Sequence, residues 1–323
     1  MKPVITLTLN PTVDGSSSAE QIRPLRKIRT TDERYHPGGG GINVARVVRE
    51  LGGSALALYL AGGAPGNLLE DLLTSAGIDA RRVLIKGYTR IAHTVFERSS
   101  EQEYRFVPDG PEITTKEWDA CLAALEDHDF DYVVASGSLP RGLPADAYHR
   151  VVDIAARKHA RVILDTSGAA LRATLDKGVF LVKPSLGELE ELVGHPLPDP
   201  GAAEAAAREL VEGGHAEIVA VSFGRDGAIL VSKNGTWRLA PPPIEAQSAV
   251  GAGDSFVAAM TVAIVQGRPL DAALAYAVAA GTAAVLSPGA ELARSEDVER
   301  LYATLRADTI EGEAVTTPTL TPE

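Results

Sequence analysis

The segment Val250-Gly251-Ala252-Gly253-Asp254-Ser255-Phe256 places two glycines and a carboxylate directly before an apolar stretch that predicts a helix. The first N–H groups of a helix have no partner inside the helix, and the helix dipole makes that end partly positive. Glycines leave these N–H groups uncovered, so the segment predicts a binding site for anionic oxygens such as those of phosphate. Asp254 in that turn fits either a general base or a helix-capping carboxylate.

A second glycine cluster, Gly38 to Gly41, also precedes a predicted helix. Four consecutive glycines let the backbone approach a ligand closely, although they equally suit a flexible hinge. Asn43, two residues later, can both donate to and accept from a sugar hydroxyl, and Asp14 after the first predicted strand can also bind a hydroxyl. Taken singly, each of these polar residues also fits a cap or a turn.

The common nucleotide-binding patterns are missing from the sequence. Gly251-Ala252-Gly253 lacks the third glycine of the G-x-G-x-x-G pattern, which argues against a nicotinamide-dependent dehydrogenase. No G-x-x-x-x-G-K-[ST] occurs, so any nucleotide must be held in another way. The seven histidines are not paired at metal-ligand spacing.

Apolar β-branched runs alternate with Ala/Leu/Glu-rich stretches, which predicts an α/β fold with a mostly parallel central sheet and helices on both faces. The predicted strands are 4–9, 55–61, 132–135, 161–165, 180–182 and 218–222. The predicted helices are 41–51, 68–76, 116–126, 145–158, 187–193, 202–212 and most of 251–286.

Residues 13–36 and 88–108 interrupt this alternation, because polar and apolar residues alternate there with period two. These stretches predict a small separate sheet, which we call the lid. Tyr104 and Phe106 should point to one face of the lid and Arg105 to the other. A sheet with one apolar face needs a partner, either the main domain or the lid of a second subunit.

The composition and net charge of the chain limit the classes of protein to which it can belong. Of 323 residues, 45% are hydrophobic, which is enough for a sizeable core in one domain over 1–307. A net charge of −12 opposes binding to nucleic acid and to anionic membranes. No apolar window is long enough to span a bilayer, and the single Cys121 lies on an apolar helix face, so we expect a cytoplasmic protein. The Thr-, Glu- and Pro-rich tail 308–323 is predicted to be disordered.

The segments 38–46 and 250–256, the Asp14 region, Ser136-Gly137-Ser138-Leu139-Pro140 and Lys183-Pro184-x-x-x-Glu188 together resemble the PfkB family of sugar kinases, over residues 6 to about 302. The match is closest to the 6-phosphofructokinase branch of that family. The resemblance implies a ribokinase-like fold whose β lid forms a homodimer interface. It also implies ATP-dependent phosphorylation of fructose 6-phosphate at the C1 hydroxyl, a step of glycolysis that gives fructose 1,6-bisphosphate.

The same resemblance implies roles for individual residues. Asp254 would deprotonate the sugar hydroxyl, while the turn Gly251-Ala252-Gly253 stabilises the transferring phosphoryl group. The substrate would contact Asp14, Lys27, Gly39, Asn43, Arg90, Arg105 and Ser138, and the nucleotide would contact Lys183, Ser185, Ser222, Gly224 and Gly227. Mg²⁺ would be held by Glu188 through water, and K⁺ by carbonyl groups near Ser248, Val250, Ala284, Ser287 and Gly289.

The sequence departs from the family pattern at two places. Ser185 replaces the usual Asn, which affects the water network around Mg²⁺, and Ser248-Ala249 replaces a frequent Asp-Thr, which affects K⁺ activation. Fructose-1-phosphate and tagatose-6-phosphate kinases resemble the same segments but usually carry Lys in place of Gly40, which favours fructose 6-phosphate here. A non-catalytic sugar-phosphate sensor is the alternative of a different class, and the retention of Asp254 beside both glycines argues against it.

Overall fold

The computed structural model describes residues 2–244, 250–286 and 291–312, the last six of these by their backbone only. In chain order its strands are β1 Val4–Thr8, β2 Thr12–Ala19, β3 Thr30–Gly38, β4 Ala55–Ala61, β5 Ala80–Leu84, β6 Arg90–Glu97, β7 Gln102–Phe106, β8 Tyr132–Ser136, β9 Arg161–Asp165, β10 Val179–Val182, β11 Ala216–Ser222, β12 Ala228–Ser232 and β13 Gly235–Leu239. Its helices are α1 Gly40–Glu50, α2 Gly63–Ser75, α3 Thr115–Glu126, α4 Tyr148–Arg157, α5 Gly168–Leu175, α6 Leu186–Val193, α7 Pro200–Glu212, α8 Ala252–Val265, α9 Leu270–Val285 and α10 Ser295–Gly312.

The main sheet has nine strands in the order β13-β12-β11-β10-β9-β8-β1-β4-β5. Its strands pair in parallel from β11 to β5, whereas β12 and β13 extend one edge as an antiparallel hairpin. Every residue of the interior strand β1 is buried, because helices cover both faces of the sheet. Ile5 and Leu7 pack on one face, against α3 and α4, and Val4 packs on the other, against α1, α8 and α9. The mostly parallel α/β sheet predicted from the sequence is therefore confirmed.

Several elements were missed by the sequence analysis. The hairpin β12–β13 could have been found from Asn234-Gly235, which is a strong hairpin signal between apolar strands. The edge strand β5 has only five residues, of which Val83 alone is buried, and helix α5 covers only eight residues. Such short segments give a weak periodic pattern.

The lid is a separate four-stranded sheet in the order β3-β2-β6-β7. Strands β2 and β6 pair in parallel, and the two outer pairs are antiparallel. Register places Tyr35, His93 and Phe106 beside Gly15 on the outer face, where Tyr35 and Phe106 are exposed. Arg105 pairs with Thr94 on the opposite face. The predicted lid stretches and the predicted orientation of Arg105 agree with this geometry.

The last helix corrects one prediction. Helix α10 runs to Gly312, so residues 308–312 are helical although the sequence analysis placed them in a disordered tail. Glu296 and Asp297 in its first turn favour the positive end of the helix dipole, and the stretch that follows has no proline before Gly312. Residues 313–323 lie outside the described residues. Across the described ranges, no helix is both long and apolar enough to cross a bilayer.

Candidate active site

Helix α8 begins at an open, glycine-rich turn. Gly251 caps the helix with φ 75°, a left-handed conformation that strongly favours glycine. A Cβ built on Gly253 would find its nearest neighbour among the described residues, Lys183 Nζ, 3.9 Å away. Ala252 and Gly253 at the start of α8 also line a cavity, so this helix start is open and lies beside a cation, as an anion-binding turn requires.

Asp254 lies in the first turn of α8 and accepts a hydrogen bond at Oδ2 from Asn43 Nδ2, at 2.8 Å. Burial, together with the nearby Asp165 carboxylate, raises the pKa of Asp254 to about 7, although Asn43 and Lys183 act in the opposite direction. A carboxylate with a pKa near neutrality is suited to take a proton and to release it again.

A second carboxylate, which the sequence analysis missed, lies at the end of β9. Asp165 Oδ1 pairs with Lys183 Nζ at 3.1 Å, and Ser136 Oγ donates to Asp165 Oδ2 at 3.0 Å. Burial alone would lower the pKa of Lys183, but the Asp165 and Glu188 carboxylates outweigh it and raise that pKa. Ser136, Asp165 and Lys183 all stand at carboxyl ends of neighbouring parallel strands, where α/β sheets bind ligands.

The glycine cluster before α1 is crowded rather than open. A Cβ on Gly38 would overlap the Asp14 carboxylate, and one on Gly40 would overlap Ser136 Oγ. A Cβ on Gly41 would lie 2.5 Å from Thr8 Oγ1. These contacts favour close backbone packing over the hinge interpretation, and they bring the start of α1 near enough for Asn43 to reach Asp254.

The inner face of the lid brings predicted substrate residues together. Asp14, Arg105 and Val107 line a small hollow that Val250 closes from the main domain. Burial raises the pKa of Asp14, while the Thr12 hydroxyl and the cations of Arg105, Arg90 and Arg46 oppose that rise. The lid thus places positive charge beside the carboxylate that the sequence predicts to bind a sugar hydroxyl.

Arg90 and Ser138 lie where the lid joins the main sheet. Arg90 donates from Nη1 to Pro108 O at 3.0 Å and from Nη2 to Asn10 O at 2.9 Å. Asn10 Nδ2 in turn donates to Ser138 Oγ at 3.3 Å. Lys27, by contrast, is exposed on the connection between β2 and β3, and no contact within the described chain joins it to these groups.

A cavity of about 800 Å³ lies between the start of α8, helix α9 and the segments that follow β11 and β13. Its lining includes the predicted nucleotide residues Ser222, Gly224 and Gly227. Its volume falls in the range of ligand pockets for molecules of nucleotide size. Lys183 and Ser185 are not part of the lining. The sequence analysis missed the apolar wall, which comes from Phe256 on α8 and from Val278, Gly281, Thr282 and Val285 on α9.

Comparisons with known proteins identify the family of the chain. A family model described as pfkB family carbohydrate kinase matches residues 8–297. The chain belongs to the pfkB family of carbohydrate kinases. ATP-dependent 6-phosphofructokinase isozyme 2 of Mycobacterium tuberculosis is 45% identical over 301 residues, which cover 93% of this chain and 88% of that relative.

Solved structures of this kinase family share the fold. The crystal structure of phosphofructokinase-2 from Escherichia coli in complex with potassium has a TM-score of 0.92 at 39% identity and covers 95% of this chain and all of that one (100%). The same protein in complex with fructose-6-phosphate has a TM-score of 0.89, with the same identity and coverage. Arabidopsis thaliana ribokinase, 22% identical, has a TM-score of 0.74 over 94% of this chain and 99% of its own. The ribokinase-like fold is thereby confirmed.

Within this pfkB-family kinase, Glu188 has a structural duty besides the metal role implied by resemblance. Its Oε2 accepts from Ser185 N at 2.7 Å, while Ser185 Oγ accepts from Glu188 N at 3.3 Å. This reciprocal pair of hydrogen bonds is a capping box at the start of α6, and Ser-x-x-Glu is its sequence signature. Ser185, which replaces the family's usual Asn, is therefore a functional helix cap.

The kinase's predicted cation positions differ in how far the structure describes them. In the described part of the chain, no group of three His, Cys, Asp or Glu side chains could hold a metal by itself. Mg²⁺ fits this site all the same, because it retains waters and binds nucleotide phosphates with only one or two protein carboxylates. Of the K⁺ positions, Val250 lies in the turn before α8 and Ala284 in α9, whereas Ser248, Ser287 and Gly289 lie outside the described residues.

Proposed function

We propose that this carbohydrate kinase is an ATP-dependent 6-phosphofructokinase with Asp254 as its general base. The observation that carries the proposal is the position of Asp254 between two different spaces. On one side the nucleotide-sized cavity reaches the α8 turn at Ala252 and Gly253. On the other side Asp254 meets Asn43, and it interacts electrostatically with Asp14, which lies near the lid cations Arg90 and Arg105. The names of the relatives in Mycobacterium tuberculosis and Escherichia coli support fructose 6-phosphate as the substrate.

The proposed reaction assigns each atom a destination. Asp254 accepts the C1 hydroxyl proton as the C1 oxygen forms a bond to the γ-phosphorus of ATP, and the bond from that phosphorus to the β–γ bridging oxygen breaks to release ADP. The N–H groups at Ala252 and Gly253 stabilise charge on the transferring group, and Lys183 lies beside them. Asp165 holds Lys183 by the 3.1 Å ion pair.

On the sugar side, we assign hydroxyl binding to Asp14, Gly39 and Asn43. We assign binding of the 6-phosphate to Arg90, Arg105, Ser138 and Lys27. A charge-assisted hydrogen bond contributes roughly 1.5–3 kcal/mol, so two or three of these cations can hold a phosphate on a protein of net charge −12. Arg105 and Arg90 have the support of their electrostatic influence on Asp14. Lys27 has only the family resemblance.

The proposal includes Mg²⁺ held by Glu188 through water, and K⁺ near Val250 and Ala284. Bound Mg²⁺ would neutralise charge on the nucleotide phosphates. The potassium complex of the Escherichia coli protein supports the second ion. Turnover with K⁺ replaced by Na⁺, and a Glu188→Gln variant titrated with Mg²⁺, measure the two contributions separately.

We also propose a homodimer that forms through the outer face of the lid, in the cytoplasm. Tyr35, Ile91 and Phe106 expose 41%, 41% and 59% of their surface on that face. Exposed apolar patches of this kind are typical of protein interfaces. Light scattering at micromolar concentration measures the mass, and a monomeric mass would contradict the dimer.

A coupled ADP-release assay tests the substrate. With MgATP and K⁺, fructose 6-phosphate, fructose 1-phosphate, tagatose 6-phosphate and free fructose are compared in parallel. We expect kcat/KM to favour fructose 6-phosphate by at least about tenfold, or roughly 1.4 kcal/mol of transition-state discrimination. Preference for another sugar would keep the mechanism and change the substrate. Absence of turnover on all four would favour either a substrate outside these four or a non-catalytic sensor.

A further inference from the structure

Arg46 lies one helical turn after Asn43 on α1 and has no role in the sequence analysis. Its Nη1 donates to Asn43 Oδ1 at 3.2 Å and to the carbonyl oxygen of Pro37 at 3.0 Å. The side chain is partly buried beneath the glycine cluster, while Arg49, one turn further along the same helix, is exposed. Arg46 therefore joins the end of β3, just before the glycine cluster, to Asn43, the residue that contacts Asp254.

The chemistry of an amide makes this contact directional. An amide oxygen only accepts hydrogen bonds and an amide nitrogen only donates them, whereas a guanidinium only donates. Because Arg46 donates to Asn43 Oδ1, the amide nitrogen of Asn43 must face the other way, where it meets Asp254 Oδ2 at 2.8 Å. A reversed amide would set two donors against each other at Arg46 and two acceptors against each other at Asp254.

We propose that Arg46 is a positioning residue of the phosphoryl transfer, which acts through Asn43 to fix the Asp254 carboxylate. The contact occupies one acceptor site on Oδ2 of Asp254, and we assign proton uptake from the sugar hydroxyl to the other oxygen, Oδ1. This proposal rests on the assignment of Asp254 as the base in the proposed function.

Arg46 also contributes charge to a crowded electrostatic environment. The pKa of Asp254 is raised by Asp165 from β9 and Asp14 from β2 and lowered by Lys183 from β10. The Asp14 and Asp254 carboxylates in turn raise the pKa of Arg46 on α1, and Arg46 lowers the pKa of His36 on β3. Asp165 and Asp14 thus oppose ionisation of Asp254, and the two cations favour it. Loss of Arg46 would remove one cation and release the amide that donates to Asp254, so both changes would make Asp254 harder to ionise.

The test compares Arg46→Ala, Arg46→Lys and the matched control Arg49→Ala. We expect Arg46→Ala to lower kcat by about 10- to 100-fold and to move the acid limb of kcat/KM upward by about one pH unit. Arg46→Lys keeps the cation but loses the guanidinium fork, so its limb should remain within about 0.3 unit of the wild type with an intermediate kcat. Arg49→Ala should match the wild type in both measurements.

A double-mutant cycle shows whether Arg46 acts through Asn43. In an Asn43→Ala background, adding Arg46→Ala should slow kcat by no more than about threefold, because the group that Arg46 orients is already absent. Full additivity of the two losses would overturn the proposal. An Arg46→Ala enzyme with an unshifted acid limb, and with a kcat loss that follows only its folded fraction in thermal melts, would also overturn it.

The readout is independent of which sugar is preferred. All variants are assayed with the sugar phosphate that the wild-type enzyme turns over fastest. An error in the proposed substrate is therefore detected with the wild-type enzyme alone. A wrong role for Arg46 appears only in the comparison between variants.

Discussion

The two glycine-rich helix starts have similar sequences and opposite environments. At α8, Gly253 is exposed and its nearest neighbour in the direction of a Cβ is Lys183 Nζ at 3.9 Å. At α1, the glycines pack so closely on Thr8, Asp14 and Ser136 that no side chain would fit. Glycine leaves open space at the start of α8, where we propose that an anion binds, and it allows close packing of protein atoms at the start of α1. The close packing at α1 brings Asn43 within reach of Asp254.

The two helix starts should differ most in the loss of kcat when one polar side chain is replaced at each, Asp254 in α8 and Asn43 in α1. Asp254→Asn removes the proposed base and should lower kcat by about 10³-fold or more, with binding of the sugar phosphate nearly unchanged. Asn43→Ala removes an orienting donor and should lower kcat by only about 10- to 100-fold. Steady-state kinetics and a binding titration measure both effects.

Asp271→Asn is a matched control for the first variant, because Asp271 also lies in the first turn of a helix, where it pairs with Arg306 at 2.7 Å. It should retain wild-type kcat. Wild-type turnover by Asp254→Asn would refute the assignment of the base and with it the difference between the two helix starts.

Alanine substitution of one glycine at each helix start should separate activity from stability. Gly253→Ala should fold as well as the wild type, since alanine favours a helix over glycine by up to about 1 kcal/mol, yet its methyl group narrows the space beside Lys183 and should lower kcat by about tenfold or more. Gly41→Ala would place a methyl 2.5 Å from Thr8 Oγ1 and should destabilise the protein by about 1–3 kcal/mol. Thermal melts and kcat are measured for both variants. Equal losses of stability in Gly253→Ala and Gly41→Ala would contradict the predicted difference between the two helix starts.

The pH dependence of activity should depend on the carboxylate that faces the α8 start. Because the pKa of Asp254 is about 7, kcat/KM should fall about tenfold per pH unit below that pH as the base becomes protonated. Asp165→Asn removes a negative neighbour and should move this acid limb to lower pH by about one unit. Asp153→Asn, which only breaks an exposed pair with Lys177, should leave it in place. An unmoved limb in Asp165→Asn would show that the carboxylate at the end of β9 does not act on the base.

The smallest predicted effect is on stability. The pKa of Asp254 is raised by folding from 3.8 to about 7, so the folded state holds its proton more tightly than the unfolded state does. The resulting stabilisation is complete below about pH 3.8 and is lost as the pH rises through 7. Asp254→Asn should therefore be more stable than the wild type at pH 8, by on the order of 1–3 kcal/mol, but not at pH 4. Equal melting temperatures of Asp254→Asn and the wild type at pH 8 would show that the ionised Asp254 carboxylate does not lower the stability of the folded protein.

Sequence reasoning located the helix starts and the lid, because glycine runs and period-two alternation are local signals. It could not show that Asn43 and Asp254 meet, since 211 residues separate them along the chain. It also missed Asp165, whose importance comes from its position at the end of β9 beside Lys183. The apolar wall of the nucleotide-sized cavity looks like any alanine-rich buried helix in sequence, and only its packing against α8 reveals its use.

The environment of the single cysteine has a practical consequence for spectroscopy. Cys121 is only 1% exposed, and burial raises its pKa to about 12, so its thiol should not react with labelling reagents in the folded protein. The natural sequence is thus already suited to single-site labelling. A Gln102→Cys variant would place one reactive thiol on the outer face of the lid, where an attached fluorophore could follow lid movement and subunit association during turnover.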